Sequence, residues 1–292
     1  MKTQRFFDVV ANRQETELTA EQRDALELWS QPNPWYFLTG TWPLALRYTP
    51  QRSVAREPKP IIIVMDPIEQ RERPFPSTGY EHIRDAILEP VFAQQWRTDM
   101  CTLFAINKAR KVVGTLGLTG GIFAEILDLG SILGRPRRVT QWQILKQNHE
   151  ESQKLVADRM RYAYAHENFP AFLRRLRPTR PKPVGKLSFG SNCAWAVKQN
   201  FSAAKGESTD SLIDECVELP NLRQLVEAAR PQTRRMVLIA TPNEPGRRGQ
   251  DPDSVQFFRE VIGDVKANET KILAVADEDE DVATARLIGA AS

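Results

Sequence analysis

The sequence predicts an α/β fold in which helices flank a mostly parallel sheet, preceded by an irregular N-terminal segment. Short apolar runs such as "CTLFAIN" and "RRMVLIATPN" alternate with segments whose apolar residues recur at helical spacing. That alternation argues for a parallel sheet covered on both faces. Pro32, Pro34, Pro43, Pro50, Pro58 and Pro60 punctuate the early chain, where fixed φ and missing donors disfavour regular structure.

The elements come in this order. "TAEQRDALELWS" (19–30) predicts a helix with Thr19 as N-cap, its hydroxyl accepting an orphan amide. "PIIIVMDP" (60–67) predicts a short strand bounded by prolines. "GYEHIRDAILEPVFAQQW" (79–96) has helical spacing and leads into the strand "CTLFAIN". A helix over 115–132, a strand "RVTQWQIL" and a charged helix over about 149–164 come next. "KLSFGSNCAWAVKQ" predicts a hairpin turning at Gly190, Ser191 and Asn192. "SLIDE" predicts a short strand end, "LPNLRQLVEAA" a helix and "RRMVLIATPN" a strand running into a turn.

Composition narrows the function classes. The chain has 292 residues, 41% of them hydrophobic, enough for one large domain or two small ones. No run of about 18 apolar residues predicts a membrane span, and the opening residues lack the pattern of a signal peptide. Cys101, Cys193 and Cys216 are too far apart for a disulfide frame, and His82, His149 and His166 are isolated. The net charge of +3 identifies no partner. The expectation is an intracellular, soluble protein.

Chemistry is expected at three strand ends, because ligands in parallel α/β sheets bind beyond the carboxyl ends of the strands. "FAINKARKVVGTLGLTGG" (104–121) joins an apolar run, a basic cluster and a glycine-spotted helix start, yet lacks G-x-x-x-x-G-K-[ST]. Lys108, Arg110 and Lys111 offer cations, and Thr115 offers a hydroxyl where a helix begins. A plain strand–turn–helix junction with a basic rim is the alternative. "SLIDECVELP" delivers Asp214 and Glu215, which suit a Mg²⁺-holding acid and a water-orienting acid, or else an acidic helix start. "MVLIATPN" delivers Thr241, Pro242 and Asn243 as a phosphate sensor or an ordinary turn.

Together these segments resemble the ATPase domain of the large terminase subunits of tailed bacteriophages. The resemblance runs over roughly residues 33–260, through "NPWYFLTGTW", "RPFPSTGYEHIRDAI", "NKARKVVGTL", "GRPRRVTQWQILKQNHEESQKLVADRM", "LSFGSN", "AAKGESTDSLIDECVELPN" and "MVLIATPN". One branch of that family has a displaced loop, K-[SA]-R-x-x-x-x-[ST], and "KARKVVGT" fits each fixed position. A lysine can approach phosphate from either end of such a loop, since it acts as a point charge on a flexible stem.

The resemblance implies a P-loop NTPase-like, ASCE-type sheet that binds ATP and Mg²⁺. It implies a loop of Lys108, Ala109, Arg110, Lys111, Val112, Val113, Gly114, Thr115 and Leu116, with Lys108 on phosphate and Thr115 on Mg²⁺. Asp214 would be the second Mg²⁺ residue, Glu215 the catalytic acid, and Thr241, Pro242 and Asn243 the coupling motif. Phe75 and Tyr80 lie in the segment resembling the adenine site. Where the family carries a trans-acting arginine before glycine, this chain has Lys205-Gly206, which keeps the charge and loses the planar fork.

The implied organisation is an N-terminal helical and proline-rich segment (1–57), an ATPase domain (58–265) and an acidic tail or linker (266–292). The residues after Asn243 are too few for the family's nuclease domain. The acidic run "ADEDEDVATA" reads as a solvated tail. Implied partners are double-stranded DNA, a portal or procapsid, a small terminase subunit and further copies in a ring, in the cytoplasm of a bacterial host and with no membrane. "RRLRPTRPKPVGK" (174–186), with six basic residues and no acid, is either a DNA-backbone contact or a solvated loop. The alternative function is a non-catalytic, degenerate docking module that binds nucleotide, DNA or portal.

Overall fold

The structure, a computed structural model, describes residues 18–39, 63–65, 72–74, 83–93, 101–108, 114–165, 169–179, 185–198, 209–241, 249–263 and 271–276. Helix α1 (Ala20–Trp29) starts where Thr19 caps it: the Gln22 amide donates to the Thr19 hydroxyl, and the Gln22 side chain accepts from the Thr19 amide. After α2 (Trp35–Thr39), strands β1 (Ile63–Met65) and β2 (Glu72–Pro74) pair as a small antiparallel sheet. The rest of "PIIIVMDP" lies outside the described residues. Ile83–Ala93 is helical as expected but wound as a π-helix with Pro90 inside it. Proline removes a backbone donor, and wider turns are one way a helix accommodates that loss.

Among the described residues the main sheet has seven strands. In chain order they are β3 (Thr102–Asn107), β4 (Gln141–Leu145), β5 (Lys186–Phe189), β6 (Asn192–Ala196), β7 (Thr209–Asp214), β8 (Thr233–Ala240) and β9 (Lys271–Ala276). In space the order is β5-β6-β4-β7-β8-β3-β9, parallel except for the outer pairs β5·β6 and β3·β9. Strand β8 is inserted between β3 and β7, so the carboxyl ends of these three strands lie side by side.

Both faces are buried. On one, Phe104, Ile106, Val237, Ile239 and Leu212 pack against α1, α2, the π-helix and α3 (Gly114–Leu127). On the other, Leu103, Ala105, Met236, Leu238 and Ile213 pack against α6 (Leu222–Ala229) and α7 (Pro252–Ile262). The charged helix is continuous from α4 (His149–Lys154) through a π-helical stretch, Leu155–Arg161, into α5 (Tyr162–Ala165).

Several expectations need correction. The strand expected from Arg138 starts at Gln141, because 135–140 take no regular structure. The hairpin turns at Gly190 and Ser191, while Asn192 pairs with Phe189 inside the ladder. The helix expected over 115–132 ends at Leu127. Asp128 takes a left-handed conformation, and Leu129–Leu133 continues as a 3₁₀ turn. This stretch is apolar enough to cross a membrane by length and composition, but it is the central helix of the core, with Leu118, Ile122, Phe123 and Ile126 fully enclosed. Strand β7 is not short: all six residues are buried, with Thr209 accepting from Gln143 and Asp210 paired with Arg234 and Arg235. Strand β9 falls within the segment expected as tail or linker, and pairs with β3 along its whole length.

The glycines of α3 are explained by packing. A Cβ on Gly120 would run into Leu38, one on Gly121 would stand 2.5 Å from Phe92 Cε2, and one on Gly117 2.8 Å from Ile83 Cγ2. They let α2 and the π-helix approach the α3 backbone.

Candidate functional site

Strands β3, β7 and β8 end side by side. The Lys108 amide donates to the Ala240 carbonyl at 2.9 Å, carrying the β3–β8 ladder one residue past the strand. Its side chain therefore starts at the sheet's carboxyl edge. Lys108 Nζ lies 3.1 Å from Glu215 Oε1 and 3.4 Å from Thr241 Oγ1. The hydroxyl of Thr115, in the first turn of α3, donates to Asp214 Oδ1 at 2.8 Å. Residues from three strand ends and one helix start thus converge.

Burial matters here. Asp214 is 1% exposed, and the Lys108 and Glu215 side chains are 12% and 15% exposed. Pairing in this sheltered setting is electrostatically stronger than at a wet surface. Glu215 leaves β7 in the left-handed region, at φ 52° and ψ 45°. Such a conformation costs a non-glycine residue about 1–3 kcal/mol and concentrates at functional sites. Glu215 stands at the N-cap position of a single 3₁₀ turn, Cys216–Glu218, and makes no side-chain capping hydrogen bond there. Burial first, and then the neighbouring Glu215 and Asp214 charges, push the Cys216 thiol well up. Cys216 therefore stays protonated beside the site.

A further cation joins the cluster without a sequence motif to announce it. Lys146, directly after β4, places Nζ 3.0 Å from Asp214 Oδ2 and 3.5 Å from Glu151 Oε2. Its backbone amide donates to the buried Ser152 hydroxyl at 2.8 Å, and Asn148 caps α4 through the Glu150 amide. Burial pulls the Lys146 ammonium down, but the Asp214 carboxylate, joined by Glu151 and Glu215, outweighs it and leaves the pKa raised. The available signal was positional: a lysine immediately after an apolar strand, in a sheet whose other strand ends carry polar groups.

Of the residues singled out from the sequence, the structure brings together Lys108, Thr115, Asp214, Glu215 and Thr241. Gly114 is buried at the start of α3, where an added Cβ would stand 3.3 Å from Ile239 Cδ1 and 3.5 Å from Lys108 Cδ. Leu116 packs against the core. Ala109, Arg110, Lys111, Val112, Val113, Phe75, Tyr80, Lys205, Pro242 and Asn243 lie outside the described residues.

The Thr115 hydroxyl and Asp214 carboxylate are hard oxygen donors in contact, which suits Mg²⁺. Among the described residues no group of three or more His, Cys, Asp or Glu could hold a metal by itself. Mg²⁺ does not need one when phosphate oxygens and water complete its shell.

No family model matches the sequence, and no curated protein matches it. Among solved structures, the chain is similar to the large terminase ATPase domain of Thermus phage P74-26. The identity is 14%, the match covers 66% of this chain and 73% of that one, and the TM-score is 0.34. An arginine-to-alanine variant of the same domain gives 14% identity, 66% and 74% coverage and a TM-score of 0.34.

Proposed function

We propose that this chain is an ATP-hydrolysing motor domain that moves double-stranded DNA into a viral procapsid. The observation that carries the reading is the convergence of Lys108, Thr115, Asp214 and Glu215, drawn from sites 99 and 107 residues apart in sequence, at the carboxyl edge of a parallel sheet. A cation, a helix-start hydroxyl and two acids are what phosphoryl transfer needs, because catalysis there is mostly positioning and charge neutralisation. DNA, portal, small subunit and ring assembly enter through the sequence resemblance.

In this reading Lys108 exchanges its contact with Glu215 for the nucleotide's phosphates. Glu215, released from that pair, orients the attacking water and accepts its proton. Thr115 and Asp214 would hold Mg²⁺, which neutralises charge on the phosphates when bound. Thr241, touching Lys108 from the end of β8, reports phosphate occupancy to the chain that follows it. Arg110, Lys111 and Lys205 supply further positive charge, and the 174–186 segment suits a DNA backbone, which a sequence-indifferent motor should grip.

A docking module without turnover is the second reading, favoured by Lys205 standing where an arginine fork is expected. Mg²⁺-dependent ATP hydrolysis at high protein concentration, with and without duplex DNA, separates the two. Turnover that Glu215→Ala abolishes supports the motor. Nucleotide binding with background hydrolysis in both proteins supports the docking module.

A further inference from the structure

Asp214 has its two carboxylate oxygens divided between two donors. The Thr115 hydroxyl takes Oδ1 at 2.8 Å, and the Lys146 ammonium takes Oδ2 at 3.0 Å. Asp214 is otherwise enclosed, with its side chain 2% exposed, so an unneutralised charge there would be costly. Lys146 is the only cation that the described contacts place on Asp214.

The same lysine has a second acid within reach. Glu151, half exposed on the first turn of α4, lies 3.5 Å from Nζ. A small cleft lined by Lys146, Glu151, Lys154, Leu155 and Arg159 opens on that side. The ammonium can therefore swing from one carboxylate to the other about its flexible stem while its backbone stays fixed by Ser152. Arginine, with a rigid fork, would be harder to dislodge.

We propose that Lys146 is an internal counter-cation that competes with a divalent metal for Asp214, holding the acid neutralised until the metal arrives and then retiring to Glu151. It is a positioning residue that sets metal affinity and links metal occupancy to α4. The inference rests on the assignment of Asp214 as a metal-holding acid.

The test uses Mn²⁺ as the probe, titrated into the full chain with and without a non-hydrolysable ATP analogue, with free Mn²⁺ followed by its paramagnetic signal. Lys146→Met should bind Mn²⁺ at least tenfold tighter than the wild type, because an ammonium about 4 Å from a divalent ion repels it by more than that factor even at the dielectric of water. Glu151→Gln, a change at an exposed position, should act in the opposite direction, because Lys146 then has no second partner. In thermal melts Lys146→Met should be less stable than wild type without metal and should gain more than wild type from added Mn²⁺, a response that a merely structural lysine would not give. Lys146→Arg should bind Mn²⁺ no more tightly than wild type. If Lys146→Met leaves Mn²⁺ affinity unchanged or weaker while Asp214→Asn abolishes binding, the counter-cation role is overturned and the metal site stands. If wild type shows no Mn²⁺ binding that Asp214→Asn removes, the metal assignment itself falls, and the inference with it. Should Lys146→Met fail to fold, Glu151→Gln decides: affinity equal to or above wild type overturns the proposal.

Discussion

Strands β7 and β8 carry a buried charge cluster at each end, and the two are built differently. At the amino end Arg235 donates to Glu125 at 2.9 and 2.8 Å, to Asp210 at 2.6 Å and to the Val91 carbonyl at 3.1 Å. Its guanidinium lies 4.8 Å from the Trp142 ring centroid and 5.8 Å from that of Phe92, and Trp142 donates its indole N–H to Glu125. At the carboxyl end the cations are lysines, each shared between two oxygen-bearing residues. A rigid fork held on every side fixes geometry, whereas a point charge on a flexible stem can change partners. The amino end is made to stay, and the carboxyl end to be exchanged when a ligand arrives.

The largest expected effect tests the exchangeable end. Glu215→Ala should lower ATP turnover by several orders of magnitude, the scale of lost water positioning and general-base action, while nucleotide binding survives. The mutation leaves the amino-end contacts in place but strips the sheltered Lys108 of its carboxylate partner, so the melting temperature should fall as well. Steady-state hydrolysis beside nucleotide titration checks both halves. Lys108→Ala should weaken binding as well as turnover. If instead Lys111→Ala did all the damage and Lys108→Ala none, the displaced-loop reading would fail.

The opposite pattern is expected at the other end. Arg235→Ala leaves Asp210, which is fully buried, and Glu125 without their shared cation. Removing one partner of a buried ion pair costs about 3–5 kcal/mol. Chemical denaturation should show that loss, and Arg235→Lys should recover only part of it because the fork is gone. Whatever folds should retain the Mn²⁺ affinity of the wild type. A stable Arg235→Ala with altered metal binding would erase the distinction between the two ends.

Legibility from sequence divides along the same line. Strands β3 and β8 are readable because burial on both faces demands unbroken apolar runs, and "TLFAI" and "MVLIA" supply them. Strand β7 reads too short because Thr209, Asp210 and Ser211 look like loop residues. They are strand residues because Asp210 meets Arg234 and Arg235 while Thr209 accepts from Gln143, partners that no local pattern announces. Strand β9 is hidden beside the acidic run. The candidate site is legible where a strand end delivers its residue directly, as with Lys108, Asp214, Glu215 and Thr241. Lys146 is not, since its role depends on β4 lying parallel to β7, with Leu145 beside Ile213. Register of that kind is a long-range property.

A third change sharpens the comparison by testing the scaffold between the two ends. Gly121→Ala puts a methyl 2.5 Å from Phe92 Cε2 and 2.6 Å from Cζ. Phe92 cannot retreat freely, because it packs on Trp142 at 5.9 Å and under Arg235. Overpacking of this kind costs about 1–3 kcal/mol, against which alanine's better helix propensity returns roughly 1 kcal/mol. The net loss should be modest and should couple with Arg235→Ala in a double-mutant cycle, since both press on the same ring.

The smallest effect should come from Thr19→Ala. Its hydroxyl and the Gln22 side chain form a reciprocal cap at the start of α1, with both bonds 3.2 Å long and solvent-exposed. Losing such a cap costs about 1 kcal/mol. Helix α1 does not reach the carboxyl end: its far end is tied to the loop before β4, where Arg135 bonds Glu27 and Ser30. Fraying at Thr19 should therefore lower the melting temperature slightly and leave turnover and Mn²⁺ affinity at wild-type values. Altered turnover at unchanged stability would mean that the two ends communicate through the α1 layer, and that the amino end is less fixed than the Arg235 cluster indicates.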